Sequence, residues 1–270
     1  MNYNKITQQV KELTAHAAFI LPNDIKHLLE FACHQEKNQK IKTALGLILE
    51  NAAIAAQEKL AICQDTGLPI IFIEVGKGIK FTHDILAAIK KGVEDGYVCN
   101  SLRASSVEPI TRGKSTYAAT EFHIDFNSEV NGLKVTVLPK GFGSENKSRL
   151  KMFNPTADIG EIENFIVESV KLAGPESCPP FFIGVGIGST SDGALLLAKK
   201  ALLGHVDRMN ELELEILHSI NKLGVGVMGL GGVTALSVKI KEAPTHIAGL
   251  PVAVNISCHA LRWASAMIEL

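Results

Sequence analysis

The chain has 270 residues, 46% of them hydrophobic and 20% charged, with a formal net charge of −1. That length suits one large domain or two smaller ones, with ample apolar material for a core. The near-neutral balance excludes the basic footprint of a nucleic-acid binder and a long-range field drawing the protein to anionic membranes. Small-molecule chemistry is the expectation that remains.

The first twenty residues are polar and helical in period. They lack the basic n-region and apolar run of a signal peptide, and no stretch reaches the roughly 18 apolar residues of a membrane span. A soluble, cytoplasmic protein is expected. Ile25, Leu28, Leu29 and Ala32 then repeat at helical spacing behind a capping Asn23-Asp24 pair, and Ile41, Ala44, Leu45, Ile48 and Ala52 do so again. A break falls at Cys63-Gln64-Asp65-Thr66-Gly67. Behind it, Leu68 to Val75 is an apolar, β-branched run of strand length. A helix is predicted over Thr82–Tyr97. Glu121–Phe126 and Leu133–Leu138 alternate polar and apolar around a turn at Asn127–Gly132, the pattern of a hairpin. A glycine loop, Gly141 to Lys147, follows. Asp158 and Glu161 form a capping box for a helix that stops at Gly174.

After Cys178-Pro179-Pro180 a buried strand is predicted at Phe181–Val185, leading into a second glycine loop, Gly184 to Gly188. Helices are expected at about 192–203 and 210–223, then strands at Ala235–Ile240 and Val252–Ile256. The chain closes with Ser257-Cys258-His259 and a short helix. There is no repeat, low-complexity tract or long linker. The reading is one domain, 1–270, of the mixed α/β (α+β) class. A helical segment (about 1–60) precedes a mixed, partly antiparallel sheet region flanked by helices (about 61–270).

Chemistry-bearing residues are few. Only five of the 27 basic residues are arginines (Arg103, Arg112, Arg149, Arg208 and Arg262), so the candidate bidentate clamps for a carboxylate are a short set. Gly224-Val225-Gly226-Val227-Met228-Gly229 matches G-x-G-x-x-G. A dinucleotide site needs a strand before it and a helix after it; here a helix precedes and more glycine follows, which favours a structural loop. The Gly141 loop, with Ser, Asn and Lys close by, is either a tight turn or a set of backbone N–H groups offered to an anion. The five cysteines are odd in number and widely spaced, which argues against a disulfide framework. Cys33 and Cys99 sit in helical period as small buried hydrophobes. Cys63, Cys178 and Cys258 each lie at a strand boundary beside turn residues, where site residues concentrate. Three thiolates brought together would suit a soft metal or an iron–sulfur cluster.

Cys63-Gln64-Asp65-Thr66-Gly67, Gly143-Ser144-Glu145-Asn146-Lys147, Cys178-Pro179-Pro180 with Gly184-Val185-Gly186-Ile187-Gly188, and the closing His246 … Cys258 segment resemble the class I fumarases and the related L-tartrate dehydratases. The likeness covers nearly the whole chain, in the family's order. It implies a [4Fe–4S] cluster held by Cys63, Cys178 and Cys258, with the fourth iron left open as a Lewis acid for substrate oxygen. It also implies Asp65 and His246 as active-site groups, and Gln64, Arg103, Lys147 and the Gly141–Gly143 backbone as substrate contacts. Two departures stand out. Phe142 occupies a position where relatives often carry glycine, and the chain ends at Leu270, where single-chain fumarases continue into a domain with further carboxylate-binding residues and the proposed base. The resemblance therefore implies an alpha subunit that hydrates fumarate to L-malate with a beta subunit, in an oligomer. L-tartrate is the alternative substrate. A zinc-binding or redox-sensing protein built on the same thiolates is the alternative from another class.

Overall fold

The computed structural model describes residues 2–118 and 121–270. In chain order the elements are α1 (Tyr3–Phe19), α2 (Asn23–Gln35), α3 (Gln39–Glu58), β1 (Leu68–Val75), α4 (His83–Cys99), β2 (Glu121–Phe126), β3 (Leu133–Lys140), the single turn α5 (Phe142–Glu145) and β4 (Arg149–Phe153). Then come α6 (Ile159–Ala173), β5 (Phe181–Gly188), α7 (Ser191–Ala201), α8 (Glu211–Asn221), β6 (Ala235–Ala243), β7 (Leu250–Ser257) and β8 (Ala264–Ile268). The fold is mixed α+β, as expected. Two compact units interleave along the chain. One comprises Met1–Pro22, Asn51–Gly141 and Arg262–Leu270; the other comprises Asn23–Glu50 and Phe142–Leu261.

The first unit holds a four-stranded sheet of order β2-β1-β3-β8. Strand β1 is apolar on both faces and buried along nearly its whole length, so it takes a central position. One face is covered by α1 and α4, whose Ile6, Val10, Ile85, Ile89 and Val93 join Ile71, Ile73, Val135 and Val137 in one apolar cluster. Thr82 caps α4, accepting from the Ile85 N–H. The predicted hairpin does not form. Strand β2 pairs parallel to β1, and β3 pairs antiparallel to β1 on its other side. The intended turn instead passes the end of β1: Asn127 N–H donates to Val75 O, and Gly76 N–H to Gly132 O. Its alternating, half-exposed pattern suits β2 to the sheet edge, while the doubly apolar β1 is better buried between two strands. The predicted terminal helix is also replaced. Ala264–Ile268 runs antiparallel to β3 as β8, because ladder bonds to β3 offer more than one isolated helical turn.

The second unit holds a sheet of order β4-β7-β5-β6. Helices α6 and α8 share an apolar cluster with Ile183, Val185, Val254 and Ile256. Both helices carry full capping boxes, Asp158 with Glu161 and Asn210 with Glu213. The second predicted glycine loop is in fact strand. Gly184 and Gly186 lie within β5 and face α7, where a Cβ would stand 2.1 Å from Ala198 O and 2.0 Å from Ala194 O respectively. Glycine at alternate positions lets the α7 backbone lie directly on the sheet. The G-x-G-x-x-G stretch is a structural loop as read: its second half is a short 3-10 turn, Val227–Gly229. A Cβ on Gly226 would meet Gly231 O at 1.5 Å.

Candidate active site

In the first unit the break before β1 folds into a tight turn. Gly67 adopts φ +80°, and a Cβ there would sit 2.6 Å from the Pro139 carbonyl carbon, so only glycine fits. The Asp65 carboxylate takes up the Asx geometry: its Oδ1 accepts from Gly67 N–H at 3.0 Å. Its Oδ2 faces Gly141, where an added Cβ would come within 3.2 Å. Cys63 is half-buried at the start of this turn, and Gln64 is exposed beside it.

Arg103 stands on the loop after α4, as anticipated. Its side chain is exposed and its guanidinium has no hydrogen bond or ion pair among the described residues. Its backbone is held instead: Arg103 N–H donates to Thr66 Oγ1 at 3.0 Å. The turn is fastened from two further directions. The Tyr97 hydroxyl points at the carbonyls of Thr66 and Gly67, at 3.1 and 3.0 Å. Arg262, only 3% exposed, donates through Nη2 to the Asp65 carbonyl at 2.6 Å. Burial pushes the Tyr97 phenol well above its ordinary range; Arg262 opposes that shift and Asp65 adds to it. Of the five arginines, Arg262 is therefore committed to the backbone. Arg149 lies over the Phe165 ring and 3.7 Å from Glu168. Arg103, Arg112 and Arg208 are exposed with no guanidinium partner among the described residues, and of these Arg103 is the one tied to the Asp65 turn.

In the second unit Cys178 ends the 3-10 turn Pro175–Ser177 in a left-handed conformation, φ 60° and ψ 63°, and is exposed. Cys258 follows β7 and is half-buried. The two cysteine segments adjoin: His259 N–H donates to Cys178 O at 3.2 Å, and His259 Nδ1 lies 3.1 Å from the same oxygen. The first predicted glycine loop is the single helical turn α5 rather than an open loop. Ser177 Oγ reaches Gly143 O at 3.4 Å, linking that turn to the residue before Cys178. Lys147 closes the turn, its N–H donating to Ser144 O at 3.1 Å. Beneath it, Asn255 donates to Glu145 and Ser148 at 2.8 Å each, and Glu145 pairs with Lys199 at 2.6 Å. His246 lies on the exposed loop between β6 and β7. Its Nδ1 accepts from Ala248 N–H at 3.1 Å, which leaves the neutral ring's proton on Nε2.

No disulfide joins any of the five cysteines among the described residues. Cys33 packs beside Ile41 and Leu45, as expected of a small apolar residue. Cys99 departs from that expectation. It is exposed in the last turn of α4, off the buried stripe formed by Ile85, Ile89, Val93 and Tyr97. No local pattern marks Thr66, Tyr97 and Arg262 as fasteners of one turn, so sequence reasoning missed them. It also missed a grouping of Asp24, His205 and Asp207, whose ligand atoms lie within 4.8 Å of one another. Asp24 already serves as a tie there, accepting from the Ile25 and Val206 N–H groups.

A mixed α+β chain with thiols at strand boundaries, a carboxylate held in a tight turn and an available arginine has the parts of an enzyme that handles a small anionic substrate. Comparison narrows the class. Residues 7–267 match the family described as Fumarate hydratase (Fumerase). The chain belongs to that family, and is a hydro-lyase. A chain of Methanocaldococcus jannaschii named "Putative L(+)-tartrate dehydratase subunit alpha" is 41% identical, over 98% of both chains. The L(+)-tartrate dehydratase subunit alpha of Escherichia coli K12 is 27% identical, over 98% of this chain and 91% of its own. That of Shigella sonnei is similar to the same degree.

Proposed function

We propose that this chain is the alpha subunit of a two-subunit hydro-lyase that hydrates fumarate to L-malate reversibly. The observation that carries the reading is the Cys63–Gly67 turn: a thiol, an amide and a carboxylate on consecutive strand-boundary residues, tied by Thr66 to the segment bearing Arg103. The donor set fits an iron–sulfur cluster. Cys63, Cys178 and Cys258 are the three strand-boundary thiols, each at least partly accessible, and three thiolates leave one iron of a [4Fe–4S] cluster open. Such a cluster would supply Lewis-acid activation of a substrate oxygen.

The chain's own residues account for the rest of the proposed site. Arg103 binds one substrate carboxylate through charge-assisted hydrogen bonds. The Gln64 amide and the N–H groups of the 141–143 backbone orient the substrate, and Lys147 adds positive charge. Asp65, its orientation fixed by the Gly67 N–H, accepts or releases a proton at its carboxylate oxygen. His246 presents Nε2–H as a donor toward substrate. The second carboxylate and the remaining proton transfer fall to a beta subunit; relatives named as alpha subunits that match over nearly their full length support this division. No helix among the described residues is long and apolar enough to cross a membrane.

The relatives' names favour a second reading within the same chemistry, dehydration of L-tartrate. L-malate and L-tartrate share two carboxylates and an α-hydroxyl, so one assay compares them directly. The anaerobically reconstituted complex is given malate, fumarate and L-tartrate, and kcat/KM is compared. A visible iron–sulfur absorbance that survives Cys33→Ser and Cys99→Ser but is lost in Cys63→Ser, Cys178→Ser and Cys258→Ser is the expected result. A colourless protein retaining zinc would instead support the thiolate sensor reading.

A further inference from the structure

Three side chains, Thr66, Tyr97 and Arg262, fasten the turn that carries Asp65. Thr66 Oγ1 is the link between turn and arginine loop. It accepts from Arg103 N–H at 3.0 Å and lies 3.5 Å from Arg103 O, across 37 residues of chain. Thr66 is itself buried. Tyr97 rises from α4 and directs its hydroxyl at the Thr66 and Gly67 carbonyls. Arg262, at the entry to β8, holds the Asp65 carbonyl. Removing any one of these donors takes a hydrogen bond from the turn.

We infer that Thr66 is a positioning residue that sets Arg103 against Asp65, with Tyr97 and Arg262 locking the turn on which Thr66 stands. The inference rests on the proposed substrate roles of Arg103 and Asp65. Its physical basis is simple. Arg103 lies on a loop, and its guanidinium is held by no partner among the described residues, so its reach depends on where its backbone is pinned. Thr66 pins that backbone one residue from the carboxylate. An ångström of play between a clamp and a proton-transfer group is enough to lose much of the benefit of orientation.

The test uses two independent readouts. In the full chain, amide hydrogen exchange at Arg103 reports the tether directly. Thr66→Val, which keeps shape and removes the acceptor, should speed exchange there about tenfold, as expected for loss of a hydrogen bond of ordinary strength. Thr66→Ser should leave exchange near wild type. In the reconstituted complex, Thr66→Val should lower kcat/KM for the preferred dicarboxylate about tenfold, and should add less than about twofold in an Arg103→Lys background, because residues acting through one another are non-additive. Should Thr66→Val fold poorly, Tyr97→Phe gives the same pair of measurements from the other side of the turn. Unchanged Arg103 exchange in Thr66→Val, or full additivity with Arg103→Lys, would overturn the inference. A wild-type complex inert toward fumarate, malate and tartrate would sink the functional reading instead, and the exchange measurement would still decide the tether.

Discussion

At the scale of single residues, the site separates into groups that face outward and groups that hold them. Arg103 is exposed and uncommitted among the described residues, whereas Arg262 is buried and holds the Asp65 carbonyl. The two are the same chemically and differ only in what surrounds them. Arg103→Lys retains the charge and loses the planar fork. The expected outcome in the reconstituted complex is a KM for the dicarboxylate raised about tenfold with a smaller fall in kcat, since uniform binding is lost more than orientation. Steady-state kinetics checks it, and a wild-type KM would return Arg103 to the surface. Tyr97 yields a pH prediction. Its folded pKa is raised, first by burial, with Arg262 opposing and Asp65 assisting. A raised pKa means the folded state holds the phenolic proton more tightly than the unfolded chain. The stability it contributes is fully present below the ordinary phenol value of about 10 and is lost as pH rises beyond it. Alkaline denaturation followed by ultraviolet absorbance should show one of the three tyrosines ionising only as the chain unfolds, and Tyr97→Phe should remove that phase.

At the scale of elements, the strands and helices carrying site residues follow directly from local pattern. The apolar run Leu68–Val75 forms β1 with those same ends, and the Asp158–Glu161 box starts α6 as its chemistry requires. Elements were misread where two patterns coincide. A glycine triplet after prolines looks like a loop, but in β5 two of those glycines alternate along a strand because α7 lies against them. This gives an element-scale prediction. Gly186→Ala would place a methyl about where Ala194 O already stands, which demands that α7 shift. Overpacking of this kind costs roughly 1–3 kcal/mol or more. A urea midpoint lowered accordingly, with unchanged slope, is the expected result. An unaltered midpoint would mean that α7 sits more loosely than the close approach of its carbonyls implies.

At the scale of the whole molecule, the functional reading depends on a partner. The proposed site in this chain offers one available arginine, one carboxylate and one outward histidine, and a dicarboxylate has two ends to hold. The relatives named as alpha subunits point the same way. Purified alone with its cluster rebuilt, the chain should hydrate fumarate at no more than a few per cent of the rate of the complex, roughly the loss that follows when an orienting group is missing. Co-expression with a beta subunit should give a complex that co-purifies and turns over. Full activity from the lone chain would place the base within these 270 residues, with His246 the first residue to test.

The sequence alone determined what depends on neighbours a few residues apart: the periods of α1 to α4, the cap of α6, the apolar core strands β1, β5 and β7, and the motif residues Cys63 to Gly67, Cys178 and Cys258. These features are local, because helical spacing, capping and strand alternation are each written within one or two turns of chain. Only the tertiary structure decided which strands pair, that β1 separates β2 from β3, that the chain's last segment is a strand, and that Cys99 is exposed. It alone brought Arg262 to the Asp65 carbonyl across 197 residues, and Thr66 to Arg103 across 37. A single buried carbonyl accepts from whichever donor the packing delivers, and no periodicity along the chain records which one that will be.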